Sequence, residues 1–306
     1  MSGPRVAVKP SPAPFATDAV VAGGGTVVED AALAEGLVWL DPFRIADLAE
    51  VLHTASDVRW VQLPFAGIER VVEAGLLDGD RIWTSAKGAF AEPVAEHALA
   101  LSLAGLRQLH ERARATSWGQ PAGLSLFDRR VTILGGGGIT MALLRLLEPF
   151  RTEATVVRRK PDAVPGAAHT VPASELGAVL PGSLLVILAL ALTPETVHII
   201  GKDELACMDE TSWLVNVARG RHVDTDALAA ALADGSIGGA ALDVTDPEPL
   251  PDGHPLWGAP NCLITPHTAN TFDMVIPFLA ERIRVNVAHL RDGEPLEGLV
   301  DTDAGY

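Results

Sequence analysis

Three groups of residues in this 306-residue chain could do chemistry. The first is the stretch 131–147, VTILGGGGITMALLRLL. A short β-branched run leads into four glycines and then into apolar residues at helical spacing. Strand, glycine turn and helix together make a phosphate cradle. Gly135 permits a tight turn and Gly137 lets backbone approach a pyrophosphate. The helix that opens at Gly138 and Ile139 offers free N–H groups and a partial positive charge. Thr140 stands where the third glycine of a G-x-G-x-x-G pattern belongs. The second group is Arg158-Arg159-Lys160. It ends the next strand, about 20 residues past the glycines, where an acidic residue would bind the ribose 2′-hydroxyl of NAD. Cations there suit the 2′-phosphate of NADP instead. The third group is Arg219, Glu248 and His267, each at or just after the end of a later strand. A guanidinium binds anions in a planar fork, and an imidazole exchanges a proton near neutrality.

These residues need strands to carry them. Residues 5–8, 36–40, 58–63 and 81–84 read as strands, and 45–52 and 68–77 as helices. The turn Phe65-Ala66-Gly67 exposes N–H groups suited to a carboxylate. A long helix starts at Ala91, with Pro93 in its first turn, and its stripe of Val94, Ala98, Leu101 and Leu106 continues to about residue 115. Glu96 and His97, inside that helix, are read as structural. Residues 116–127 form a loop or arm. A second domain starts at about Ala98, with further strands at 154–157, 184–189, 213–217, 239–244 and 261–265. A helix at 224–232 is ended by Gly235, and a last one covers 272–290. Strands alternating with helices predict parallel α/β sheets, whose ligands bind outside the carboxyl ends of the strands.

Composition narrows the function classes. The chain is 48% hydrophobic and 20% charged, which excludes disorder. A net charge of −16 argues against nucleic acid or an anionic membrane as partner. Cys207 and Cys262 form no metal or redox spacing and fit a reducing cytoplasm. The opening MSGPRVAVKPSPAP lacks a signal-peptide core, and the longest apolar run, 184–192, is too short to span a bilayer. The expected location is the cytoplasm.

Read together, QLPFAG (62–67), AEHALALSLAGLR (95–107), GGGGI (135–139), NVARG (216–220), LDVTDPEPLP (242–251), HPLW (254–257) and ITPHTA (264–269) resemble the D-isomer-specific 2-hydroxyacid dehydrogenases. The resemblance covers nearly the whole chain and is densest between 185 and 270. It implies two flavodoxin- or Rossmann-like α/β domains with parallel sheets and the active site in the cleft between them. Residues 1–97 plus 273–306 would bind substrate and 98–272 the dinucleotide. It implies a homodimer joined through the cofactor domain, with the 116–127 segment against the partner. It also assigns roles: His267 as acid/base, Glu248 as its partner, and Arg219 on the substrate carboxylate and carbonyl. Phe65, Ala66 and Gly67 would complete the substrate site. Cofactor contacts fall on Gly135, Gly137, Gly138, Ile139, Thr140, Arg158, Arg159, Leu190, Ala191, Thr196, Val217, Ala218, Arg219, Asp243 and His267. NADP is the preferred cofactor and NAD a possible one; no metal is implied.

The chemistry agrees with that assignment. Reducing a 2-keto acid to a 2-hydroxy acid needs a hydride on carbon and a proton on the developing alkoxide. An imidazole with an ordinary pKa near ~6.5 suits the proton, and a neighbouring carboxylate favours its charged form. Two departures from the family pattern carry expectations. Thr140 is expected to push its helix outward, and Ala191, where the family has Pro, to loosen the loop over the cofactor. The alternative is a dinucleotide-sensing, corepressor-like binding protein of the same fold; the presence of Arg219, Glu248 and His267 together favours the enzyme. Glu248 also speaks against formate oxidation, because relatives with that activity carry Gln.

Overall fold

The computed structural model describes residues 3–302. Two α/β units make up the chain: one is the chain up to Phe90 together with the segment from Thr271 onward, the other is Ala91–Asn270. In the first unit, short aliphatic and aromatic runs form five strands: β1 (Arg5–Lys9), β2 (Thr26–Val28), β3 (Gly36–Trp39), β4 (Trp60–Gln62) and β5 (Ile82–Thr84). All pair in parallel, in the order β2-β1-β3-β4-β5, a flavodoxin-like arrangement. Trp39, Leu37, Leu48, Val61 and Trp83 form its buried core. The helix Phe272–Asp292 packs against the helix Pro14–Ala22 through a face that buries Val275, Leu279, Ile283 and Val287. A buried polar set ties β4 in place. Asn286 Nδ2 donates to Gln62 Oε1 at 2.9 Å, and the Thr84 hydroxyl lies 2.9 Å from the same oxygen. Gln62 Nε2 donates to the Leu63 carbonyl, so the strand end that leads into Phe65-Ala66-Gly67 is fixed from both sides.

The second unit holds seven strands: β6 (Arg130–Leu134), β7 (Glu153–Val157), β8 (His169–Val171), β9 (Leu185–Leu188), β10 (Trp213–Asn216), β11 (Gly239–Leu242) and β12 (Cys262–Ile264). They run parallel in the order β12-β11-β10-β9-β6-β7-β8. β9, β10 and β11 are buried on both faces, which is why they read as continuous apolar runs. The chain order reverses between β6 and β9, and such a switch point is where open parallel sheets bind ligands. The helices Ala91–Leu106 and Gly138–Leu147 pack on each other. Two parallel sheets in two α/β units are what the resemblance implies.

Several elements differ from their expected extents. The helix from Ala91 ends at Leu106, not near residue 115, because Gln108 turns left-handed (φ 51°) before the short helix Leu109–Arg112. The helix expected over 68–77 is confined to Glu69–Glu73. The helix Pro14–Ala22 and the edge strands β2 and β8 are additional. Each edge strand is three residues long and only partly buried, so it carries little periodic signal. Among the described residues, no helix is long and apolar enough to cross a membrane.

Candidate active site

Because the strands of the second unit all run in one direction, their carboxyl ends lie along one edge of the sheet. The expected site residues follow those ends in turn: the glycines after β6, Arg158 after β7, Leu190 and Ala191 after β9, Arg219 after β10, Asp243 after β11 and His267 after β12. Parallel pairing of β6 and of β9 through β12 therefore gathers segments more than a hundred residues apart in sequence, from Gly135 to His267.

At the switch point, Gly135 has φ +108°, and a Cβ there would collide with the carbonyl of Ala189 at the end of β9. Only glycine fits this close approach. Gly137 has open space beside it: a Cβ there would meet no protein atom within 4 Å. It caps the helix Gly138–Leu147, and no side chain caps the helix N–H groups. The turn thus presents uncapped amides to open space, which fits a pyrophosphate. Arg158 lies against the same turn, its Cδ 3.0 Å from where a Gly136 Cβ would stand. Arg159 lies within electrostatic reach of Glu195, whose carboxyl is held below its ordinary value chiefly by a hydrogen bond with Thr193.

The two departures behave differently from expectation. Thr140 is fully buried, and its hydroxyl donates to the Gly135 carbonyl at 2.8 Å. The β-branched residue is accommodated and ties the helix to the turn it was expected to strain. Ala191 stands in a loop that is anchored without proline. Its carbonyl accepts from Thr196 Oγ1 at 3.0 Å and from His222 Nε2 at 3.2 Å.

His222 links that loop to the next. With its proton on Nε2, its Nδ1 accepts from the Arg219 backbone N–H at 3.2 Å. Asn216, buried at the end of β10, grips the same loop: Nδ2 donates to the Arg219 carbonyl and Oδ1 accepts from Ala218 N–H. A Cβ on Gly220 would collide with the Thr245 backbone, so the glycine lets the Arg219 loop approach the segment that carries Glu248. The Arg219 side chain donates to the Ala218 carbonyl at 2.7 Å.

Glu248 Oε1 and His267 Nδ1 are 2.6 Å apart, and both side chains are about half exposed, 43% and 48%. His267 has φ 50°, a left-handed conformation for a non-glycine residue. Asp243 secures that turn. The successive amides of His267, Thr268 and Ala269 donate to the Asp243 carbonyl, Oδ1 and Oδ2 at 2.8, 2.8 and 3.0 Å. Thr265 Oγ1 donates to Oδ1 at 2.6 Å. Burial pushes this carboxyl up, but the hydrogen bonds from His97, Thr265, Thr268 and Ala269 outweigh it and bring the pKa from 3.8 to about 2. Phe65, Ala66 and Gly67 lie in the first unit as a partly exposed turn after β4, where the Phe65 carbonyl accepts from Ala86 N–H.

Asn216, His222, Thr265 and His97 hold these groups and were not singled out as functional from sequence. Asn216, Thr265 and His97 lie inside the motifs NVARG, ITPHTA and AEHALALSLAGLR, but their hydrogen-bond partners are not legible in sequence.

Residues 97–269 match the profile of the D-isomer specific 2-hydroxyacid dehydrogenase NAD binding domain. The chain belongs to this family. A glyoxylate reductase of Thermofilum pendens is 30% identical over 83% of this chain and 78% of its own length. The crystal structure of a D-isomer specific 2-hydroxyacid dehydrogenase from Xanthobacter autotrophicus Py2, in complex with NADPH and MES, superposes over all of both chains with a TM-score of 0.86 and 27% identity. An NADPH-dependent glyoxylate/hydroxypyruvate reductase from Sinorhizobium meliloti, in complex with NADP and sulfate, gives 0.81 and 25% over 99% of this chain and 100% of that one. As a family member, the protein is an NAD(P)-dependent D-2-hydroxyacid dehydrogenase, an enzyme and not only a dinucleotide sensor.

Proposed function

We propose that the protein is an NADPH-preferring reductase of small 2-keto acids of the glyoxylate and hydroxypyruvate class. His267 acts as proton donor, Glu248 as its partner and Arg219 as the substrate-binding cation. The observation that carries this reading is the 2.6 Å contact between Glu248 and His267 at the edge of the sheet that also presents Arg219. Glu248 occupies Nδ1, which leaves Nε2 as the nitrogen that delivers a proton to the developing alkoxide. The carboxylate orients the ring and offsets its positive charge. Arg219 binds the substrate carboxylate and polarises the keto oxygen.

The glycine turn and the uncapped helix N-terminus fit a dinucleotide. Gly137, Gly138 and Ile139 would hold its pyrophosphate, Arg158 and Arg159 a 2′-phosphate, and Leu190, Ala191, Thr196, Val217 and Ala218 line the adjoining loops. When bound, the nicotinamide supplies the hydride to the keto carbon. The relatives named with NADPH or NADP support the phosphorylated cofactor. A homodimer belongs to the same reading: Trp118, in the 116–127 segment, is 94% exposed and suits burial against a second copy.

The test is a panel of glyoxylate, hydroxypyruvate, pyruvate, phenylpyruvate and branched 2-keto acids, run with NADPH and NADH. Fastest turnover is expected on glyoxylate or hydroxypyruvate with NADPH. No cofactor oxidation with any 2-keto acid would overturn the proposal.

A further inference from the structure

We infer that His97 is a positioning residue for proton transfer: through Thr265 and Asp243 it fixes the turn that presents His267. The inference rests on His267 being the proton donor. His97 projects from the helix Ala91–Leu106, and its Nε2 lies 3.2 Å from Thr265 Oγ1 and 3.3 Å from Asp243 Oδ1. The Thr265 hydroxyl has one hydrogen, committed to Asp243 Oδ1 at 2.6 Å. Its oxygen is then an acceptor towards the imidazole, so the proton of His97 resides on Nε2. That N–H points at a hydroxyl and a carboxylate oxygen that are already joined to each other.

Four donors therefore converge on the Asp243 side chain, which is 1% exposed: the Thr265 hydroxyl, two successive amides and the imidazole. The carboxylate, with its own carbonyl, is what holds residues 267–269, including the left-handed His267. A non-glycine residue keeps such a conformation only where its surroundings over-determine it. Thr265 and the three amides all belong to the loop after β12. His97 is the one donor in the cluster that comes from a helix, so it ties the Asp243 carboxylate and the loop that hangs on it to the helix Ala91–Leu106. Without it, Asp243 and Thr265 lose that lateral support, and the carboxylate can turn and take the His267 loop with it. Sub-ångström placement of a proton donor is what such a shift degrades.

His97→Gln and His97→Asn separate this role from helix packing. A Gln amide nitrogen stands as many bonds from Cβ as the imidazole Nε2, whereas an Asn amide stops a bond short. With NADPH and the best 2-keto acid, kcat in His97→Ala and His97→Asn is expected to fall about tenfold or more. In the same variants, NADPH affinity by fluorescence titration should stay within about twofold. His97→Gln should recover to within about threefold of wild type. Thr265→Val supplies a second route to the same relay: it should lower kcat, and adding His97→Ala to it should cost little more, as expected of coupled residues. The inference is overturned if His97→Ala and His97→Asn turn over within about twofold of wild type, if Gln is as slow as Asn, or if the Thr265 and His97 losses multiply. His267→Ala keeps the two readings apart. Turnover retained in His267→Ala defeats the proton-donor assignment, whereas its loss beside a normal His97→Ala defeats only the role of His97.

Discussion

Asp243→Asn is nearly isosteric, yet its cost can be worked out from the hydrogen bonds. The two carboxylate oxygens accept from different backbone amides, Oδ1 from Thr268 and Oδ2 from Ala269. Either orientation of an Asn amide turns its NH2 towards one of those N–H groups, donor against donor. Losing a hydrogen bond to a charged acceptor is worth about 1.5–3 kcal/mol. The carboxyl's pKa gives an independent figure: lowering it from 3.8 to about 2 on folding corresponds to about 2 kcal/mol. The folded value lies below the unfolded one, so this stability is fully present above the unfolded value of 3.8 and fades as pH falls through about 2. At low pH the protonated wild-type acid must itself aim an O–H at an amide, the same fault that Asn carries at every pH. The expected result is a loss of about 2–3 kcal/mol at pH 7, seen as a melting temperature lower by about 3–5 °C. The gap should be unchanged at pH 5 and narrow in melts at pH 3 and 2, and kcat at pH 7 should fall because the His267 turn is loosened. Equal melting at pH 7, or a gap undiminished at pH 2, would refute the reasoning.

Three further outcomes test the site. His267→Ala should lower the rate of keto acid reduction by ~100-fold or more while leaving NADPH binding little changed; stopped-flow reduction and a binding titration measure the two. Arg219→Lys keeps the charge but loses the planar fork, so KM should rise and kcat fall together in steady-state kinetics on every 2-keto acid reduced. The wild-type enzyme should favour NADPH over NADH by at least about tenfold in kcat/KM, and Arg158→Asp should shrink or reverse that ratio at low salt. Equal use of both cofactors by the wild type would show that Arg158 faces solvent.

The amino-acid sequence by itself determined the local pieces of this enzyme. β9, β10 and β11 are legible because a strand buried on both faces must be an unbroken apolar run. The glycine turn is legible because its demand falls on the residue itself: Gly135 needs a positive φ, and no other residue type meets the Ala189 carbonyl so closely. The helix Thr225–Asp234 was marked by Gly235, which ends it in the left-handed region. Arg219, Glu248 and His267 were legible as strand-end residues, and the alternation of strands and helices carried the parallel sheets. Tertiary structure alone decided who meets whom. Glu248 reaches His267 across 19 residues, and His97 reaches Thr265 across 168, by routes set by strand order and loop conformation. The same holds for Thr140 and Ala191. Each was expected to loosen its surroundings from its own side-chain type, and each is held by partners, the Gly135 carbonyl and the His222 imidazole, that local pattern does not reveal. Periodicity reports which face of an element is buried. A hydrogen bond also depends on the position and direction of a second group, and those are fixed only when the parallel strands bring their carboxyl ends to one edge.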